Sequence, residues 1–90
     1  MITTLELLNR LRVEKQLPSD NQVAKYLDIS HNAVHKWRNG GTMSDELAAE
    51  IAQSLGLDVD LVVLAIIAER SKNQRAIEKL EKILEKFDAA

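Results

Sequence analysis

The chain contains no cysteine, which excludes a disulfide framework, a thiolate metal site and a thiol nucleophile. Aromatic residues make up only 3%, and proline occurs once and glycine three times in 90 residues. With 46% hydrophobic residues, this is the composition of an all-helical domain and not of a sandwich or barrel. Long apolar runs are missing too. The longest, "LVVLAIIA" at residues 61–68, has 8 residues, against the ~20 that span a bilayer. The opening "MITTLELLNR" carries Glu6 and lacks both a basic start and a small-residue cleavage site. It does not read as a signal peptide, so a cytoplasmic protein with no membrane partner is expected.

The chain also lacks an excess of positive charge, with a formal net charge of −2. Its distribution is uneven. Residues 1–43 hold six Lys/Arg and four Asp/Glu, giving +2, and both histidines; residues 44–90 hold six and ten, giving −4. The first half can face an anion while the second keeps the chain in solution.

What is present is helical periodicity. Leu5, Leu8 and Leu11, with Leu7 beside them, share one face of a first helix, which Pro18 and Ser19 end. Ser19 and Gln22 match a capping box, in which hydroxyl and amide each satisfy a free backbone donor. A helix over about 20–27 follows. Ser30 is a fitting N-cap for the next, which reaches about Asn39 and stops at Gly40 and Gly41. Thr42 or Ser44 caps a fourth helix, "DELAAEIAQSL", which ends at Gly56. A fifth carries the apolar run to about Arg70. A sixth, over about 73–88, aligns Ile77, Leu80, Leu84 and Phe87 on one stripe. No repeat or linker divides the chain, so residues 1–90 are read as one domain, with a core over about 3–70.

The stretch "VAKYLDISHNAVHKWRNGG" at residues 23–41 bends without a glycine in its turn. Two helices crossing steeply need a small residue where their backbones meet, and Ala24 supplies it. They also need a residue that tolerates positive φ. Asp28 stands at that place, and Asp is among the more tolerant non-glycine types. Ile29, Val34 and Trp37 then point into the core, the last two one turn apart. That leaves His31, Asn32, His35, Lys36 and Asn39 facing solvent.

On Ala24, Asp28, Ile29, Val34 and Trp37, with the following "NGG" and "SDELAAEIAQSLGL", the sequence resembles the lambda repressor and Cro type of helix-turn-helix domain, the XRE family. The likeness covers about residues 5–64. It implies a five- to six-helix lambda repressor-like domain with an added C-terminal helix. Asp28 in place of the usual glycine is one departure. Asp20 is another, because family members often carry a phosphate-binding Gln or Thr there, and a carboxylate does that poorly.

The resemblance implies double-stranded DNA as partner, with the second motif helix in the major groove. Asn32 suits adenine and Lys36 suits guanine acceptors, while His31 can donate to a base or phosphate. His35 shares their face. Ser30 suits a phosphate oxygen at the helix N-terminus. Arg38, Asn39 and Thr42, at the helix end, suit backbone contacts that position without discriminating. Arg10, Lys15 and Lys25 can add neutralisation from neighbouring elements. Such repressors generally dimerise, so a homodimer on an approximately palindromic operator is expected, and the family extends to phage and prophage proteins.

Other chemistries find little support. His31 and His35 are four apart, but Asn32 stands where a zincin helix needs Glu, and the chain has no further His or Cys to complete a metal shell. No metal or cofactor is therefore expected. Ser30 beside His31 makes no hydrolase, because adjacent side chains diverge on a helix and nothing supplies an oxyanion hole. No enzymatic activity is expected, and the other reading is a protein-interaction module, such as an antitoxin-like subunit gripping a partner protein with its C-terminal helices. The run at 61–68 is apolar on every side, so its helix must be buried all round. Either the last helix covers it or a second subunit does.

Overall fold

The computed structural model describes residues 1–71 and 74–88. The chain is all-α, with helices α1 (Thr4–Glu14), α2 (Asp20–Leu27), α3 (His31–Arg38), α4 (Asp45–Ser54), α5 (Val59–Arg70) and α6 (Gln74–Asp88). Among the described residues there is no strand.

Five helices start in the same way. Thr3, Ser19, Ser30, Ser44 and Asp58 each accept, through a side-chain oxygen, the N–H three residues on, at 3.0–3.3 Å. Each removes one of the free donors of a helix N-terminus. Of the two caps open for α4, the structure uses Ser44. At Ser19 the hydroxyl half of the expected box is formed, with Gln22 N–H donating.

Four helices also end alike. Gln16, Asp28, Gly40 and Gly56 have φ of 54°, 55°, 96° and 70°. In each case the next residue returns its N–H to the carbonyl five back. The pairs are Leu17 to Arg12, Ile29 to Ala24, Gly41 to Lys36 and Leu57 to Ala52, at 2.8–3.0 Å. This left-handed closure satisfies carbonyls that the helix leaves free, and it turns the following residue inward. Leu17, Ile29 and Leu57 accordingly pack against the core. The bend after α2 is thus one instance of a device used four times among the described residues. Asp28 occupies the left-handed position the sequence predicts for it. Asp28→Gly is therefore expected to change stability by less than about 1 kcal/mol, relief of Cβ crowding offsetting the freer unfolded chain. Asp28→Val should cost about 1–2 kcal/mol, since a β-branched side chain is worst suited to positive φ. Denaturant titration of both variants checks this, and a larger loss with glycine would show that the carboxylate makes a needed bond.

The core gathers Leu7, Leu8 and Leu11 of α1, Val23, Ala24 and Leu27 of α2, and Val34 and Trp37 of α3, with Met43, Ala48, Ile51, Ala52, Val62 and Ile66. The face of α1 differs from the one expected. Leu5 is 39% exposed, while Thr4 is buried and Leu7 lies fully in the core. The inward stripe is 4, 7, 8, 11, which places position 5 about 100° round the helix. Hydrogen bonds from Thr4 to distant residues, described below, fix that rotation.

The fifth helix also departs from expectation. Val62, Ala65, Ile66 and Ala68 are buried, but Leu61, Val63, Leu64 and Ile67 are only half-buried, so it is not enclosed all round. α6 packs against it in the same chain. Leu84 of the expected stripe is buried, Ile77 and Leu80 are half-buried, and the side chain of Phe87 lies outside the described residues. Ile83, between them, is 46% exposed.

Candidate nucleic-acid interface

The geometry of α3 follows from its two anchors. Val34 is fully buried and Trp37 is 4% exposed, so the helix is fixed in rotation about its axis. His31, Asn32, His35 and Lys36 are then exposed on the outer side, with Ser30 and Asn39 exposed at the two ends. No acidic residue occurs in "HNAVHKWR". The exposed side of α3 therefore presents hydrogen-bonding groups and cationic charge only, and Arg10, Lys15 and Lys25 are exposed as well.

Three of the residues expected at this surface have commitments within the protein. The Ser30 hydroxyl accepts Ala33 N–H at 3.2 Å as N-cap. Asn39 Nδ2 donates to the His35 carbonyl at 2.8 Å and lies 3.3 Å from His35 Nε2. Arg38 is half-buried and turned toward the body of the protein. Its Nε and Nη2 donate to the two carboxylate oxygens of Asp20, each at 3.0 Å, and Nη1 donates to Asn9 Oδ1 at 2.9 Å. Thr42 is half-buried in the segment after α3.

Asp20 is the centre of a network behind α3, with Arg38 and Arg12 as its partners, that sequence reasoning does not reveal. Arg12 Nη1 stands 3.7 Å from its Oδ1, while Arg12 also donates to the carbonyls of Leu17 at 3.3 Å and Pro18 at 2.8 Å. Asn9, Arg12, Asp20 and Arg38 thus tie α1, the following turn, α2 and α3 together. The hydrogen bonds from Arg38 hold the Asp20 carboxyl below its ordinary value, with the charges of Arg38, Arg12 and His31 helping and burial opposing. A lowered folded-state pKa favours the ionised form, so this contribution is present above pH ~4 and is lost as pH falls through the lowered value. Asp20→Asn should therefore lower stability at neutral pH and flatten the acid limb of the stability–pH curve below about pH 4. Urea titrations at several pH values measure this; parallel curves for the two proteins would refute it.

A third feature pins the segment leaving α3. Thr4 Oγ1 donates to Glu69 Oε1 at 2.6 Å and accepts Met43 N–H at 3.2 Å, while Thr4 N–H donates to the same Glu69 oxygen at 3.0 Å. Arg70 Nη2 donates to Asp45 at 2.6 Å, and its Nη1 reaches the Met43 carbonyl at 3.5 Å. Met43 is therefore held from two sides, its N–H by Thr4 of α1 and its carbonyl by Arg70 of α5. Gly41 adds a constraint, because a Cβ there would lie 2.9 Å from the Lys36 carbonyl oxygen.

Among the described residues, no group of three or more His, Cys, Asp or Glu is placed to hold a metal ion. No described helix is long and apolar enough to cross a membrane. No protein-family model matches the chain, and no curated protein or solved structure matches it significantly.

Proposed function

We propose that the chain is a sequence-specific double-stranded DNA-binding transcriptional regulator of the lambda repressor and Cro type. In this reading α3 enters the major groove. The observation that carries it is the two-sided character of α3: Val34 and Trp37 are buried, while His31, Asn32, His35 and Lys36 are exposed together with no acidic residue among them. The short turn at Asp28 joins α3 to α2 in the manner of a helix-turn-helix unit. Asn32 and Lys36 read base edges, and Ser30, Asn39 and Thr42 meet the sugar-phosphate backbone. The regulator works as a homodimer, two α3 helices about 34 Å apart on an approximately palindromic operator. The exposed Ile83 and half-buried Ile77 and Leu80 support α6 as part of that contact.

Selection of bound sequences from a random duplex pool tests binding, specificity and symmetry together. On the selected site, Asn32→Ala and Lys36→Ala should each cost about 1–3 kcal/mol and relax discrimination at one position. Unchanged affinity in both variants would remove α3 from the interface.

One observation favours a second reading, a module that binds a partner protein. A cleft of about 510 Å³ opens between the start of α1, α5 and α6, floored by Ile2, Leu61, Val62, Ala65 and Leu84. A folded chain that enriches no duplex sequence would shift the reading to that partner.

A further inference from the structure

A carboxylate is out of keeping on a surface that meets phosphates, yet Asp20 opens α2 with its side chain 29% exposed. Its partner, Arg38, is one of the residues the sequence leads one to expect at the DNA backbone. Arg38 meets Asp20 through two parallel bonds of 3.0 Å, and a third bond of 2.9 Å runs to Asn9. A guanidinium edge facing one carboxylate in this two-point arrangement cannot offer the same edge to a phosphate. Arg12 supplies a second cation at 3.7 Å, so the Asp20 charge is compensated from two sides.

We infer that Asp20 is a positioning residue that keeps Arg38 on the protein and so limits sequence-independent attraction of α3 to the DNA backbone. The inference rests on the DNA-binding reading above. A phosphate contact adds affinity for every sequence alike, whereas base readout depends on where α3 is held. The Asp20–Arg38–Asn9 bonds act on both terms. They withhold one cation from the backbone, and they fix the end of α3 against α2 and α1. Removing the carboxylate frees the cation and loosens the helix, and both changes lower the ratio of specific to non-specific binding.

The test measures binding of the full chain to its selected operator and to an unrelated duplex of equal length, over a range of salt concentrations. Asp20→Asn should bind the unrelated duplex roughly 3–10-fold more tightly, with the log–log salt slope steeper by about 0.9 per bound subunit. The operator should gain less, so the specificity ratio falls. Adding Arg38→Gln to Asp20→Asn should abolish the gain, and Asp20→Glu, which keeps the carboxylate, should leave unrelated-duplex binding low. Circular dichroism reports whether Asp20→Asn is folded. If it is not, Arg38→Lys carries the test, because an ammonium keeps the charge without the two-point bond and should also raise unrelated-duplex binding. Unchanged unrelated-duplex affinity and slope in the folded variants overturn the inference alone, provided the wild-type chain binds its operator selectively. A wild-type chain that binds no duplex overturns the DNA-binding reading and this inference together.

Discussion

Trp37→Ala is expected to cost about 3–5 kcal/mol of stability, the range for truncating a large buried aromatic. Trp37 is 4% exposed and sits where α3 meets the core formed by α1, α2 and α4. Its loss removes most of the anchoring of α3, since Val34 is the other residue of that helix in the core. Against a total of 5–15 kcal/mol for a typical domain, this is a large fraction. The melting temperature should fall by roughly 12–40 °C for a domain of this size. Trp37→Phe keeps an apolar ring and should lose much less. Thermal melts followed by circular dichroism measure both. The phenylalanine variant also separates core from interface. On the proposed DNA-binding reading, if Trp37 acts only by packing, the folded variant should match the parent's affinity for duplex DNA. A folded Trp37→Phe protein with lost affinity would instead put the indole at the DNA.

This much was legible in the sequence because it depends on periodicity and on local backbone chemistry. Val34 and Trp37 stand one helical turn apart, and Ala24, Asp28 and Ile29 carry the turn, so both the buried and the exposed sides of α3 follow from sequence spacing alone. Asp28 was recognisable because few residue types tolerate its φ of 55°. Gln16 has nearly the same φ, 54°, and was not recognised. Glutamine has no special tolerance for that conformation, and the signal at that position is Leu17, the apolar residue that the closure turns inward. The Asp20 network was illegible for another reason. Arg38 lies 18 residues further on and Asn9 lies 29 before Arg38. Nothing in a linear pattern marks which of several carboxylates a given arginine will meet. The face of α1 is not legible because leucine is a more apolar core candidate than threonine, and only the contacts of Thr4 with Glu69 and Met43 reverse that order.

Those contacts make Thr4→Val the second substitution with a large expected effect, about 2–4 kcal/mol, although it preserves the shape of the side chain. The hydroxyl of Thr4 is 2.6 Å from Glu69 Oε1 and accepts Met43 N–H at 3.2 Å. Thr4 is 1% exposed and Met43 is likewise 1% exposed, so water does not readily replace either bond. A hydrogen bond to a charged group is worth about 1.5–3 kcal/mol, and a buried donor left without a partner costs about 1–3 kcal/mol. The two overlap, because both arise from one atom, so the expectation lies below their sum. Thr4→Ser keeps the hydroxyl and removes one methyl group, so it should cost about 0.8 kcal/mol. Glu69→Gln keeps an acceptor but removes its charge, and should fall between the two. Denaturant titrations of the three variants give the order Ser, Gln, Val in increasing loss. Equal losses for Ser and Val would show that Thr4 matters only through its packing. The consequence reaches α3, because Met43 ends the segment that leaves it and Arg70 holds the Met43 carbonyl at 3.5 Å. In Thr4→Val, amide hydrogen exchange should therefore speed up first at Met43 and its neighbours, before the core of α4 and α5 responds. Uniform acceleration across all helices would mean that the bond stabilises the fold globally and does not position the segment that follows α3.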